Sequence, residues 1–154
     1  MRKLLPVVAL VLFLVGAARP AQAASVPFIN VAALGIELCP QSACDAAIFV
    51  GILHGQVGVN PFALGSFAVA IRHDPLPEEA WQSADLTGGA FEFRFGLRRI
   101  RGIVTGGVLV NNGNNTFSTR AFLRLLEGGS GEVVFEGLLN HNVFPPTVVG
   151  RVHP

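Results

Sequence analysis

Four histidines, His54, His73, His141 and His153, are the side chains best suited to acid–base work or metal ligation, because an imidazole titrates near neutral pH and binds transition metals. No two of them stand at the spacing of paired ligands. His54 and His141 each follow a Phe-x-Gly-x-Leu segment, Phe49-x-Gly51-x-Leu53 and Phe135-x-Gly137-x-Leu139, but at offsets of five and six from the phenylalanine. In uninterrupted strands those offsets face opposite ways, so both rings could enter one cavity only through a bulge. His141 shares parity with Phe135 and is the interior candidate. His73, Asp74 and Asp85 could form an acid–base set, yet they flank a proline-rich loop where polar residues are expected anyway.

Established catalytic signatures are absent. The chain has no Gly-x-Ser-x-Gly, no His-Glu-x-x-His, no phosphate-binding glycine loop and no calcium loop. Gly88, Gly89, Gly106 and Gly107 lack the Lys-Ser/Thr that a phosphate cradle requires, and read as backbone devices. No catalytic residue, metal ligand or cofactor is assigned. Arg94, Arg98, Arg99 and Arg101 form the densest positive cluster, which could meet a carboxylate or phosphate, but Glu92 and nearby acids can neutralise it. Asn114-Asn115-Thr116 is formally a glycosylation sequon.

The first 23 residues read as an address. Arg2 and Lys3 precede an apolar run from Leu4 to Ala18, and Ala21-Gln22-Ala23 places small residues at the cleavage positions of a secretory signal peptide. Arg19 and Pro20 close that run short of the roughly 20 residues a spanning helix wants. The expected organisation is a signal peptide over 1–23 and one domain over 24–154, secreted or periplasmic. Removing Arg2, Lys3 and Arg19 from the 11 basic residues leaves arginines alone, outnumbered by the 10 acidic ones. Such a balance argues against nucleic acid or a polybasic membrane patch as partner. A composition 51% hydrophobic and 14% charged is too apolar for a disordered chain.

Export gives the two cysteines a meaning, since oxidising compartments let disulfides persist. Cys39 and Cys44 enclose only Pro40, Gln41, Ser42 and Ala43, so a local structural clip is expected. The spacing is not Cys-x-x-Cys, and no second cysteine pair exists to complete a zinc tetrad.

These residues must be positioned by a sheet. Short runs of period two recur between glycine, proline and asparagine clusters, giving about eight strands. The first clear one spans Ala46 to Val59. Phe62 to His73 follows, with Phe67, Val69 and Ile71 on one face. Asp74-Pro75-Leu76-Pro77 stops it, and Glu78 to Ser83 could make one helical turn. Beyond Leu86, Phe91, Phe93 and Phe95 alternate with Glu92 and Arg94, and Arg98, Arg99 and Arg101 mark an exposed turn before the strand Ile103 to Val110. Asn111 to Asn115 is a strong turn because Asn and Gly tolerate positive φ. Phe117 to Leu126 fits a strand and also a short helix; the flanking turns favour the strand. Glu132 to His141 and Thr147 to Val152 complete the set.

Closure removes the two edges an open sheet would expose, so the fold expected is all-β, a small antiparallel up-and-down barrel. It resembles the small secreted barrels of the calycin type, although the Gly-x-Trp feature of lipocalins is missing: Trp81 follows Glu79 and Ala80. Eight strands leave an interior that is either filled or holds one small ligand. A membrane barrel would need aromatic girdles, and the chain has no tyrosine and one tryptophan. The expected function is a non-catalytic binding or structural module for a small apolar ligand, with Phe91, Phe93, Phe95, Phe135 and His141 as the candidate pocket. The alternatives are a cavity enzyme of isomerase or cyclase type acting on a hydrophobic substrate, and a surface protein-interaction module.

Overall fold

A computed structural model describes residues 27–42, 44–76 and 82–154. The expected signal peptide, Trp81 and most of the helical turn expected near Glu78 lie outside the described residues. Eight strands follow in chain order: β1 Phe28–Cys39, β2 Ala47–Val57, β3 Asn60–His73, β4 Ser83–Phe95, β5 Arg98–Asn111, β6 Thr116–Glu127, β7 Gly131–Asn140 and β8 Thr147–His153. Each pairs antiparallel with the next, and β1 pairs with β8, so the sheet closes on itself. The Phe117–Leu126 segment is strand, its Ala121, Leu123 and Leu125 all buried.

Two elements differ from the sequence expectation. β1 escapes periodicity because both of its faces carry apolar residues: Val31, Ala33 and Gly35 point inward while Leu34 and Leu38 point out. The arginines expected in a turn instead open β5. Gly96 and Leu97 make the turn, Gly96 with φ of 60°, and Ile100 between Arg99 and Arg101 is fully buried. Strand pairing thus extends to the turn itself, Arg98 opposite Phe95.

The two glycine pairs read as backbone devices have a structural role. Pairing between β4 and β5 lapses between Asp85–Val108 and Gly89–Val104; Gly88 on one strand and Gly106-Gly107 on the other lie in that gap, and Gly89 closes it. Gly89 and Gly107 have φ of 154° and 139°, conformations an L side chain rarely adopts. The strands bend there, as a closing barrel requires. In the Asn111–Asn115 turn, Gly113, Asn114 and Asn115 take φ of 78°, 49° and 55°.

The two ends of the barrel differ. At one end the connections are short, 58–59, 96–97 and 128–130, and the interior is solid. Phe28, fully buried, meets Phe93 edge-on at 5.6 Å and Phe95 at 6.2 Å, with Ile100, Val57 and Leu125 around them. At the other end the connections are longer, 40–46, 74–82, 112–115 and 141–146. The molecule is a cup with a phenylalanine floor.

Phenylalanine and glycine are matched along the inner wall. Phe67 stands opposite Gly51, which stands opposite Gly35, and a Cβ on either glycine would strike the Phe67 ring. The Phe135 ring likewise lies over Gly137 and Gly150, Phe91 over Gly102, and Phe95 over Gly65. A barrel of this size cannot seat large side chains at every inward position, so large and small alternate. Phe49 is the exception that matters: Gly51, two residues along its strand, is covered by Phe67, and the Phe49 ring faces open space.

Candidate functional site

The open half of the cup holds a cavity of about 360 Å³. Phe49, Ile71, Leu86, Leu109, Phe117 and Leu139 supply its apolar wall, and Glu37, Gln41, His73 and His141 stand around its mouth. A second space of about 50 Å³ lies deeper, against Leu53, Phe67, Phe93 and Phe135. Phe49, Ile71, Thr119 and Leu139 line both, so the two are adjoining levels of one interior.

Glu37 is the one buried ionisable side chain among the described residues, 5% exposed. The inward phase of β1 puts it there: Val31, Ala33, Gly35 and Glu37 follow one another on the same face. Its Oε2 has no aligned hydrogen-bond donor. His141 Nε2 lies 3.0 Å away, within ion-pair reach but off the line of a straight hydrogen bond. Burial pushes the Glu37 carboxyl above its ordinary value, and the neighbouring His141, then His73, oppose that rise without cancelling it.

His141 sits just past β7, in the turn to β8. Its backbone N–H donates to the Asn115 carbonyl at 2.9 Å, and its ring meets Phe117 edge-on at 5.1 Å. The turn is tied to β1 as well, Glu37 N–H donating to the Pro146 carbonyl at 2.8 Å. Acid and imidazole are therefore held by backbone on both sides.

The mouth is braced at the neighbouring β1–β2 turn by the Cys39–Cys44 disulfide, whose Cα atoms are 6.1 Å apart. Inside that clip Cys44 N–H donates to the Pro40 carbonyl, and Gln41 reaches the His73 backbone at the end of β3. His73 has its Nδ1 2.7 Å from the Asp74 carbonyl; a carbonyl only accepts, so Nδ1 carries the proton in that contact.

The structure brings His141, Phe135 and Phe93 to the interior space and places Phe91 and Phe95 elsewhere. His141 is at the mouth, Phe135 and Phe93 border the deeper level, and Phe91 packs on Phe93 at 4.8 Å over Gly102. Phe95 belongs to the floor, against Phe28. His54 is exposed on the outside of β2, and His153, on β8, lies 3.5 Å from Glu136. Among the described residues no three of His, Cys, Asp and Glu converge to hold a metal.

Glu37 was the residue that sequence reasoning missed. The available signal was a single carboxylate in an otherwise apolar run, in phase with Val31, Ala33 and Gly35. Phe49 was missed too, because the repeated Phe-x-Gly-x-Leu segment does not say which phenylalanine covers its own glycine.

The outer surface is divided. Glu92 collects Arg101 at 2.6 Å, Arg94, and Arg99 at 3.8 Å, and Arg101 also approaches Glu127 at 3.7 Å. On the far side Leu138, Val149, Leu34 and Ile52 form one exposed row across β7, β8, β1 and β2. No family model, curated protein or solved structure matches this chain.

Proposed function

We propose that the protein is an exported calyx that holds one small, mostly apolar molecule in the open half of its barrel. The observation that carries this reading is the cavity: about 360 Å³ with apolar walls and a few polar groups gathered at one end. Sites for small molecules are concave, mostly apolar, about 300–1,000 Å³ in size, and oriented by a few polar groups. The disulfide fits an oxidising compartment, which supports secretion or a periplasmic location. An apolar lumen and a charged network on the outer face of β4–β6 support a water-borne barrel, since membrane barrels have the opposite arrangement.

Titration with Nile red, a neutral apolar dye, tests the reading. The wild-type protein should bind it with a blue-shifted emission, and Thr119→Trp, which plants a large ring where the two levels join, should abolish the shift while the protein stays folded. Equal dye binding by the two proteins, or none by either, would remove the calyx.

A second reading is favoured by one specific contact. Glu37 and His141, 3.0 Å apart on the cavity wall, are a buried acid and a base of the kind that exchange protons with a bound substrate. In that reading the barrel is an isomerase or cyclase for a hydrophobic substrate. It requires Glu37→Gln to keep substrate binding and lose turnover, and retained turnover would dismiss it.

A further inference from the structure

Resting on the calyx reading, the polar end of the cavity specifies what kind of molecule fits. The gradient inside the cup sets its orientation. Glu37 and His141 are at the mouth, Phe49, Thr119 and Leu139 lie further in, and Leu53, Phe67 and Phe93 line the bottom. A ligand with one polar end must keep that end at Glu37.

Charge then selects the polar group. Glu37 lines the site, and its buried Oε2, with His141 Nε2 at 3.0 Å but off line, has no aligned donor, so the carboxylate has acceptor capacity that the protein leaves unused. Leaving such an atom unsatisfied is costly, and a ligand that donates to it recovers that cost. An anionic head would set a second negative charge against the carboxylate in a poorly solvated place. A cationic head would have to displace His141, whose Nε2 already stands 3.0 Å from the carboxylate. At the mouth the protein itself engages both ends of the Gln41 amide, which bond the His73 backbone, and His73 Nδ1, which bonds Asp74.

We propose that the calyx selects a molecule with an uncharged hydroxyl at one end of an apolar body, the hydroxyl donating to the Glu37 carboxylate beside His141 and the body lying along Phe49 and Leu139 toward Phe93.

Calorimetric titration of the purified full chain with decanol, decanoate and decylamine tests this, because the three share a tail and differ in the head. At neutral pH decanol should bind about tenfold or more tighter than either charged homologue, the scale expected for a hydrogen bond to a charged group. Glu37→Gln should weaken decanol by roughly tenfold and improve decanoate, narrowing the gap between them. His141→Gln is the independent variant: without the imidazole the carboxylate loses the side chain that stands against it, and preference should move from decanol toward decylamine. Should Glu37→Gln fail to fold, that movement decides the matter. Tight decanoate or decylamine binding by the wild type, or unchanged preference in His141→Gln, would overturn the hydroxyl assignment and leave the calyx standing. If no tail binds with any head, the calyx reading itself falls and the head-group inference with it.

Discussion

Gln41 spans the mouth of the barrel to His73: its Oε1 accepts the His73 backbone N–H at 2.8 Å and its Nε2 donates to the His73 carbonyl at 2.9 Å. One side-chain amide thereby imitates a strand partner, joining the β1–β2 turn to the last residue of β3. Gln41→Ala returns both backbone groups to water. Because the pair is only partly buried, the expected loss is about 1–2 kcal/mol, the ordinary net worth of such bonds. A lower urea midpoint with an unchanged denaturant slope, and faster exchange of the His73 amide, would register it. Unchanged exchange at that amide would show that the contact does no holding.

The disulfide and Gln41 should act as one unit. Closing a loop of about six residues removes about 2 kcal/mol of chain entropy from the unfolded state, and the same clip holds the turn that carries Gln41. Replacing Cys39 and Cys44 together by alanine should cost about that much. Adding Gln41→Ala to the alanine pair should cost less than it does in the intact protein, since the turn is already loose. Strict additivity in that double-mutant cycle would mean that the bridge stabilises the chain without organising the mouth.

Strands whose two faces differ in polarity were legible in the sequence, and Phe91, Phe93 and Phe95 against Glu92 and Arg94 is the plainest case. β1 was not, because its outward Leu34 and Leu38 are as apolar as its inward Val31 and Ala33, and alternation needs contrast. Closure could be argued from the edge problem, but the cup shape could not. It depends on which phenylalanine covers which glycine across strands, a relation of register that no single strand contains. The same gap hid the site. His141 was found by its parity with Phe135, whereas Glu37 needed β1 to be recognised first. Phe91 and Phe95 share a face with Phe93, yet the pleat sends one over Gly102 and the other onto Phe28, and spacing by two does not report height along the barrel.

Matching of rings to glycines predicts unequal costs for two similar substitutions. A Cβ on Gly51 would meet the Leu34 carbonyl, the Gly35 backbone and the Phe67 ring together, and backbone cannot retreat. A Cβ on Gly137 would meet the Phe135 ring first, at 2.5 Å, and that ring borders the deeper space into which it can swing; its one backbone contact, the Val149 carbonyl at 2.8 Å, is looser than the two at Gly51. Gly51→Ala should therefore reach or exceed the upper part of the roughly 1–3 kcal/mol range for overpacking, and Gly137→Ala should fall in its lower part. Gly137→Ala should also weaken Nile red binding, because the displaced ring occupies the space the dye needs. Denaturant melts with dye titration on both variants would check the order, and a more damaging Gly137→Ala would contradict the packing described.

Glu37 and Glu92 should shape the pH profile of stability on opposite sides of the ordinary carboxylate value of 4.5. Burial raises Glu37, so between 4.5 and its own midpoint the folded chain holds a proton that the unfolded chain has released. Its contribution is full below 4.5 and declines as the pH rises through that midpoint, with His141 from the β7–β8 turn and His73 from β3 limiting the decline. Hydrogen bonds from Arg101 and then Arg94 lower Glu92, so its contribution is present above 4.5 and is lost as the pH falls through its folded midpoint. Glu92 is at the surface, where salt screens it, whereas Glu37 is buried and screened less. Glu37→Gln should flatten the profile above 4.5 and leave the acid limb alone, and added salt should weaken the acid limb and spare the other. Parallel wild-type and Glu37→Gln profiles from pH 4.5 to neutrality would mean that the carboxyl is solvated, and a solvated carboxyl would have no need of a ligand's hydroxyl.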